Sequence, residues 1–196
     1  MNITLRSAIA NGELVLFLGA GASKGCKTST GLDVLDGDGL ARELAIKSNL
    51  TYEDEPLDDV YSAARRVLES RLDPVLEELF RNTQPSQEYR VLAQYAWRRI
   101  YTLNIDDGLD KALQNSPQKV YLRLSSDSID ERDQFFSRLD YIKLNGSADR
   151  LSSGIIFSSS EYAKATARAL PWYEQCASDF IRSPFLFIGT KLNEPL

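Results

Sequence analysis

The chain has 196 residues, of which 43% are hydrophobic and 26% charged, ordinary globular proportions with enough length for one substantial core. A formal net charge of -5 gives no ground for a polyanion-binding surface, so direct nucleic-acid binding is not expected. No apolar run reaches the roughly 20 residues that span a bilayer, and Met1 to Arg6 lacks the apolar core of a signal peptide, so a cytoplasmic protein with no membrane association is expected.

Leu14 to Leu18 (LVLFL) is a continuous apolar run that stops at Gly19, the pattern of a parallel strand buried on both faces. Lys24 to Asp38 follows, glycine-rich and polar, and reads as a flexible loop over a pocket. Helical spacing marks Gly39 to Ser48, Leu57 to Phe80 with a break expected near Pro74, and Tyr89 to Trp97. A second apolar strand is expected at Ile100 to Leu103, then a helix at Gly108 to Leu113 and strands at Val120 to Leu124 and Tyr141 to Leu144. The serine-rich stretch Ser152 to Ser160, around Ile155-Ile156-Phe157, reads as a short edge strand entering a helix. Helices at Glu161 to Ala169 and Trp172 to Ile181 precede a last strand, Phe185 to Ile188.

Strands alternating with helices give an α/β class: a Rossmann-like parallel sheet with helices on both faces. Residues 1–196 read as one domain. The last strand has no following helix to cover it, so the chain is expected to be the N-terminal part of a longer protein. The basic pairs Arg65-Arg66 and Arg98-Arg99 read as solvated charge.

Cys26 and Cys176 lie far apart and form no CxxC pair, so neither a zinc module nor a disulfide framework is encoded, and no metal is expected. The chain contains no histidine, which removes the commonest general base and the commonest metal ligand together. Any chemistry must use Asn, Asp, Glu, Ser, Tyr or water. Cys26 has no basic partner readable from the sequence and is taken as a bystander.

Two segments carry chemistry on their own pattern. Gly19-Ala20-Gly21-Ala22-Ser23 sits where a strand gives way to a turn, and small residues there let backbone N–H groups approach a pyrophosphate. The same pattern also serves a tight connection with no ligand, and no acidic residue closes a second strand about 20 residues on, as the usual dinucleotide fingerprint requires. In Thr102-Leu103-Asn104-Ile105-Asp106 an apolar strand ends in Asn and Asp two residues apart. Both side chains would face a ligand crevice at the carboxyl end of a parallel strand, or would cap the helix starting near Gly108.

These two segments, with Lys143-Leu144-Asn145-Gly146-Ser147 and Gly189-Thr190-Lys191-Leu192-Asn193-Glu194-Pro195, resemble in order the four signature segments of the sirtuin superfamily. They span nearly the whole chain, and the nearest likeness is to the sirtuin-like domains at the N-termini of bacterial anti-phage defence proteins. The resemblance implies that NAD is the ligand and that it is hydrolysed to nicotinamide and ADP-ribose, in an antiviral effector that forms a homo-oligomer through regions outside this chain. It implies that Gly19, Ala20, Gly21, Ala22 and Ser23 hold the phosphates and nearby ribose, and that Gly189 and Thr190 line the adenosine side. It implies that Asn104 orders the ribose and the attacking water, and that Asp106 contacts the nicotinamide carboxamide while the glycosidic bond breaks.

Two departures qualify that activity. The superfamily's catalytic histidine falls at Asn145, and an amide is no general base at ordinary pH. Water attack on an oxocarbenium-like centre needs little base assistance, so hydrolysis survives this change better than deacetylation. The four zinc-binding cysteines of the deacetylases are also missing. Glu161 and Asp149 are the candidates to replace the base. The alternative function is a weakly active or inactive sensor of NAD or ADP-ribose, or an oligomerisation module. Tyr162, Trp172 and Tyr173 could stack on a ligand ring, although aromatic residues at helical spacing usually form core.

Overall fold

The computed structural model describes residues 3–129 and 137–191. Five strands form one parallel sheet in the order β3-β4-β2-β1-β5: β1 (Val15–Leu18), β2 (Arg99–Thr102), β3 (Lys119–Leu124), β4 (Arg138–Lys143) and β5 (Phe185–Ile188). All four residues of β1 are buried, as its unbroken apolar run requires at the middle of a sheet covered on both sides. In-register pairing puts Leu18 beside Thr102 and Ile188, and Thr102 beside Lys143. The four sequence segments that follow β1, β2, β4 and β5 therefore emerge side by side at one edge of the sheet.

Eight helices complete the described chain: α1 (Ile3–Ala10), α2 (Gly37–Lys47), α3 (Leu57–Leu68), α4 (Leu72–Phe80), α5 (Gln87–Leu92), α6 (Gly108–Ala112), α7 (Ser159–Ala167) and α8 (Pro171–Arg182). Side chains alternate along the strands, so each face of the sheet has its own core. Leu14, Leu16, Leu18, Ile100 and Tyr141 pack with buried residues of α1 to α6. Val15, Phe17, Tyr101 and Ile142 pack with Trp172 and Cys176 of α8. The fold class is the Rossmann-like α/β sheet expected from the alternation, with the helices distributed unequally between its faces.

Several local readings need correction. The break within Leu57 to Phe80 falls at Glu69–Arg71, a single 3-10 turn entered by Glu69 at φ 50°, and not at Pro74. Pro74 lies in the first turn of α4, where a missing N–H costs nothing. Ile155 to Phe157 forms no strand; it packs as irregular chain, with Ile155 against Gly146 and the Ile156 amide donating to the Asn145 carbonyl at 3.0 Å. Helix α1 was not foreseen, since Ile3 to Ala10 has no capping signal or strong apolar face.

Arg99 is not solvated. Its guanidinium donates to Asp179 of α8 at 2.6 Å, and the Tyr101 hydroxyl and the Gln175 amide donate to the same carboxylate at 2.9 Å each. Because Asp179 is buried, these donors replace its lost hydration and hold α8 against that face of the sheet.

The Lys24 to Asp38 loop is tied down at its base. Lys27 exchanges two backbone hydrogen bonds with Gln84, at 3.0 and 2.7 Å, and the Val34 amide donates to the Cys26 carbonyl. Cys26 is fully buried, accepts from the Ser86 amide at 3.3 Å, and has its thiol pushed up by burial, which removes the reactive thiolate and supports its reading as a bystander. The loop ends at Asp36, whose side chain accepts from the Gly39 amide at 2.9 Å and caps α2.

Candidate active site

Ligands of open α/β sheets lie beyond the carboxyl ends of the strands, where the strand order reverses. Here β2 and β4 lie on one side of β1, and β5 returns on the other. A cleft of about 530 Å³ opens at that edge, lined by residues that include Ala20, Gly21, Leu103, Asn145, Tyr162 and Gly189. It shares Ala20, Leu57, Leu103 and Phe157 with a smaller inner cavity that reaches Ser23, Asn104 and Asp106. The first cleft lies within the range of small-molecule sites.

The glycine turn forms a 3-10 turn, Ala20–Ser23, pressed against the end of β5. Its Gly21 amide donates to the Gly189 carbonyl at 2.8 Å, and the Ala22 amide to the Gly19 carbonyl at 2.9 Å. A Cβ on Gly189, which sits at φ 68°, would lie 2.1 Å from the Ala22 nitrogen, and one on Gly19 would lie 2.6 Å from Thr190 Cβ. Two segments about 170 residues apart thus touch backbone to backbone, which only glycine permits. Thr190 packs on Gly19, Ala22 is buried, and Gly21 and Gly189 reach the cleft wall. Leu192 to Pro195, the remainder of the last signature segment, lie outside the described residues.

Ser23 turns inward. Its hydroxyl donates to Asp106 Oδ2 at 2.6 Å, and its oxygen accepts from Asn104 Nδ2 at 2.8 Å. The Tyr89 hydroxyl lies 3.1 Å from Ser23 Oγ and also accepts from Asn104 Nδ2 at 3.2 Å. With the serine proton committed to the carboxylate, Tyr89 is the donor to Ser23. Asp106 Oδ1 accepts from the Gly108 amide at 2.9 Å, at the start of α6. Complete burial raises the Asp106 carboxyl above its ordinary range, opposed by the Ser23 hydroxyl, the Lys143 ammonium and the Gly108 amide. Of the two readings open for this segment, the capping one describes Asp106, which accepts from the first amide of α6 and holds Ser23, while Asn104 is partly exposed at the inner cavity.

Sequence reasoning missed Tyr89, and gave Lys143 no role beyond its place in a signature segment. Tyr89 is 66 positions from Ser23, and nothing in its helix marks it as part of a site. Lys143, the last residue of β4, is fully buried; its ammonium donates to the Asp106 carbonyl at 2.7 Å and to Ser147 at 3.2 Å, and pairs with Asp110 at 2.9 Å. It fixes the backbone that carries Asn104 and Asp106.

Asn145 lies at the cleft wall, 3% exposed. Its Nδ2 donates to the Tyr162 hydroxyl at 2.8 Å, and its Oδ1 accepts from the Tyr173 hydroxyl at 3.1 Å. Neither proposed substitute base reaches it through the described contacts. Glu161 closes a capping box on α7, with Oε2 accepting the Phe157 and Ser158 amides at 3.0 Å, and Oε1 pairs with Arg65. Asp149 pairs with Arg81 at 3.6 Å. Trp172 is fully buried in the second core and offers no ring face to a ligand. Among the described residues no group of three or more His, Cys, Asp or Glu side chains converges to hold a metal.

Residues 98–196 match the family model described as SIR2-like domain. NAD(+) hydrolase ThsA of Acinetobacter baumannii (strain 532279) is 25% identical over 162 residues, covering 80% of this chain and 33% of that protein. The chain spans about one third of the length of that relative.

Proposed function

The chain belongs to the SIR2-like domain family, and on that premise we propose that it binds NAD across the carboxyl end of β1 and hydrolyses it. The observation that carries the reading is the Ser23–Asn104–Asp106–Tyr89 network. It spends the amide N–H groups of Asn104 on Ser23 and Tyr89, so the carboxamide oxygen points away from them and is the end a ligand meets. An acceptor fixed there orders a ribose hydroxyl or a water for attack. The backbone-to-backbone packing of Gly21 and Gly189 leaves a wall without side chains, which gives a pyrophosphate room to approach the main chain, with the Gly21 and Ala22 amides already donated to Gly189 and Gly19. The name of the A. baumannii relative supports the same ligand.

In the reaction the bond between ribose C1′ and the nicotinamide nitrogen breaks, and its electron pair leaves with nicotinamide. Water adds to C1′ and releases a proton to solvent. Asn104 orients this water, Ser23 and Tyr89 hold Asn104, and Asp106 and Lys143 hold Ser23 and the supporting backbone. No step requires a base at position 145. Within a longer polypeptide the domain acts as a cytoplasmic antiviral effector that works in a homo-oligomer.

Asn145 favours a second reading, a sensor that binds NAD or ADP-ribose and leaves it intact, because both ends of the amide are held by tyrosines. Incubation of the assembled full-length protein with NAD separates the two. Nicotinamide and ADP-ribose appearing in equal amounts are expected; saturable binding with no product would establish the sensor.

A further inference from the structure

Asn145 differs from the other cleft residues in how it is held. Tyr162 comes from α7 and Tyr173 from α8, and their hydroxyls meet opposite ends of one carboxamide. The Tyr173 hydroxyl lies 3.1 Å from Oδ1, closer than its 3.5 Å approach to the Leu144 carbonyl. Backbone contacts hold the same residue, since its carbonyl accepts from Ile156 and the following Gly146 packs against Gly154 and Ile155. A carboxamide nitrogen carries two hydrogens, and Tyr162 takes one. Asn145 lines the cleft on the β4 side of β1, opposite Gly189 of the β5 side.

We propose that Tyr173 and Tyr162 clamp the Asn145 carboxamide in one orientation and so make its second N–H a fixed donor to an oxygen of the ligand's distal ribose, with Tyr173 as a positioning residue. The inference rests on the NAD reading of the cleft. With the pyrophosphate at the glycine turn and the adenosine half toward β5, the second ribose falls over β2 and β4, within reach of Asn145. Burial raises the Tyr173 hydroxyl above its ordinary range, so it stays a neutral donor across the working pH range. A site of this kind recognises a ribose oxygen by donation and takes no proton from it.

Calorimetry on the full-length protein tests this with two ligands, ADP-ribose and ADP, which lacks the second ribose. Tyr173→Phe is expected to weaken ADP-ribose about 3–10-fold, the range of one positioned hydrogen bond, and to leave ADP within about twofold. Asn145→Ala is expected to show the same selective loss. Equal weakening of both ligands, or no weakening of ADP-ribose in either variant, would overturn the clamp. A parent protein that binds neither ligand at millimolar concentration would overturn the NAD reading itself, and the clamp with it.

Discussion

Asn104→Ala is expected to slow nicotinamide release about 10²-fold while leaving the melting temperature nearly unchanged. The side chain is half-exposed at the inner cavity, so its removal creates no deep void. Ser23 keeps its 2.6 Å bond to Asp106 and its contact with Tyr89, which limits the structural loss to about 1 kcal/mol. What disappears is the acceptor that orients the attacking water, and misplacement of a reacting group by about 1 Å costs a rate factor of this order. The measurement is initial-rate release of nicotinamide from saturating NAD, with a melt of the same preparation. A variant as active as the parent would remove Asn104 from the mechanism.

Lys143→Met is expected to have the largest effect on stability, a loss of about 3–5 kcal/mol, the usual cost of breaking a buried ion pair by removing one partner. The ammonium is fully buried and serves two backbone carbonyls, Ser147 and Asp110. Without it Asp110 keeps the Tyr141 hydroxyl at 3.2 Å, and the Ile105 and Asp106 carbonyls lose their cation. For a domain of this length the loss corresponds to a fall in melting temperature of roughly 6–20 °C. The double variant Lys143→Met with Asp110→Asn is expected to recover part of it, because the unpaired carboxylate is then gone. A single variant that melts within about 2 °C of the parent would mean that the pair carries none of the assigned load.

Strands β1 and β5 were legible because LVLFL and FLFI are short unbroken apolar runs that each stop at a glycine, the pattern of strands in a covered parallel sheet. The four signature segments were legible through their resemblance to the sirtuin superfamily, and because each stands at the carboxyl end of a strand the parallel sheet brings them to one edge. What the pattern did not contain was side-chain direction. Ser23 reads as a phosphate contact, but its hydroxyl turns inward to Asp106, 83 positions away, and that bond depends on how α5, α6 and the glycine turn pack together. Tyr89 carries no sequence signal at all, Lys143 stands in a signature segment with no role assigned to it, and Tyr173 reads as a ring that stacks on a ligand when its hydroxyl in fact holds Asn145; only long-range packing gives these three their places.

Pro74 and Ile155 to Phe157 misled in a more local way. Proline marks a helix break only beyond the first turn, and here the preceding Glu69, at positive φ, ends the helix before Pro74 is reached. The apolar trio looks like a strand, yet its backbone serves Asn145 and its side chains serve the core around Gly146.

Ligand-induced stabilisation tests most directly the claim that this cleft takes NAD. Melting of the full-length protein with and without 1 mM ADP-ribose is the measurement, since a ligand selective for the folded state stabilises it by mass action. A ligand present at about 100 times its dissociation constant adds about 2.7 kcal/mol, which for a domain of this size raises the midpoint by roughly 5–10 °C. That rise is expected for the parent, and its loss is expected in Gly189→Ala, where the added Cβ drives the β5 end out of the glycine turn. An unchanged midpoint for the parent at millimolar ADP-ribose would contradict the assignment and leave the domain a structural one.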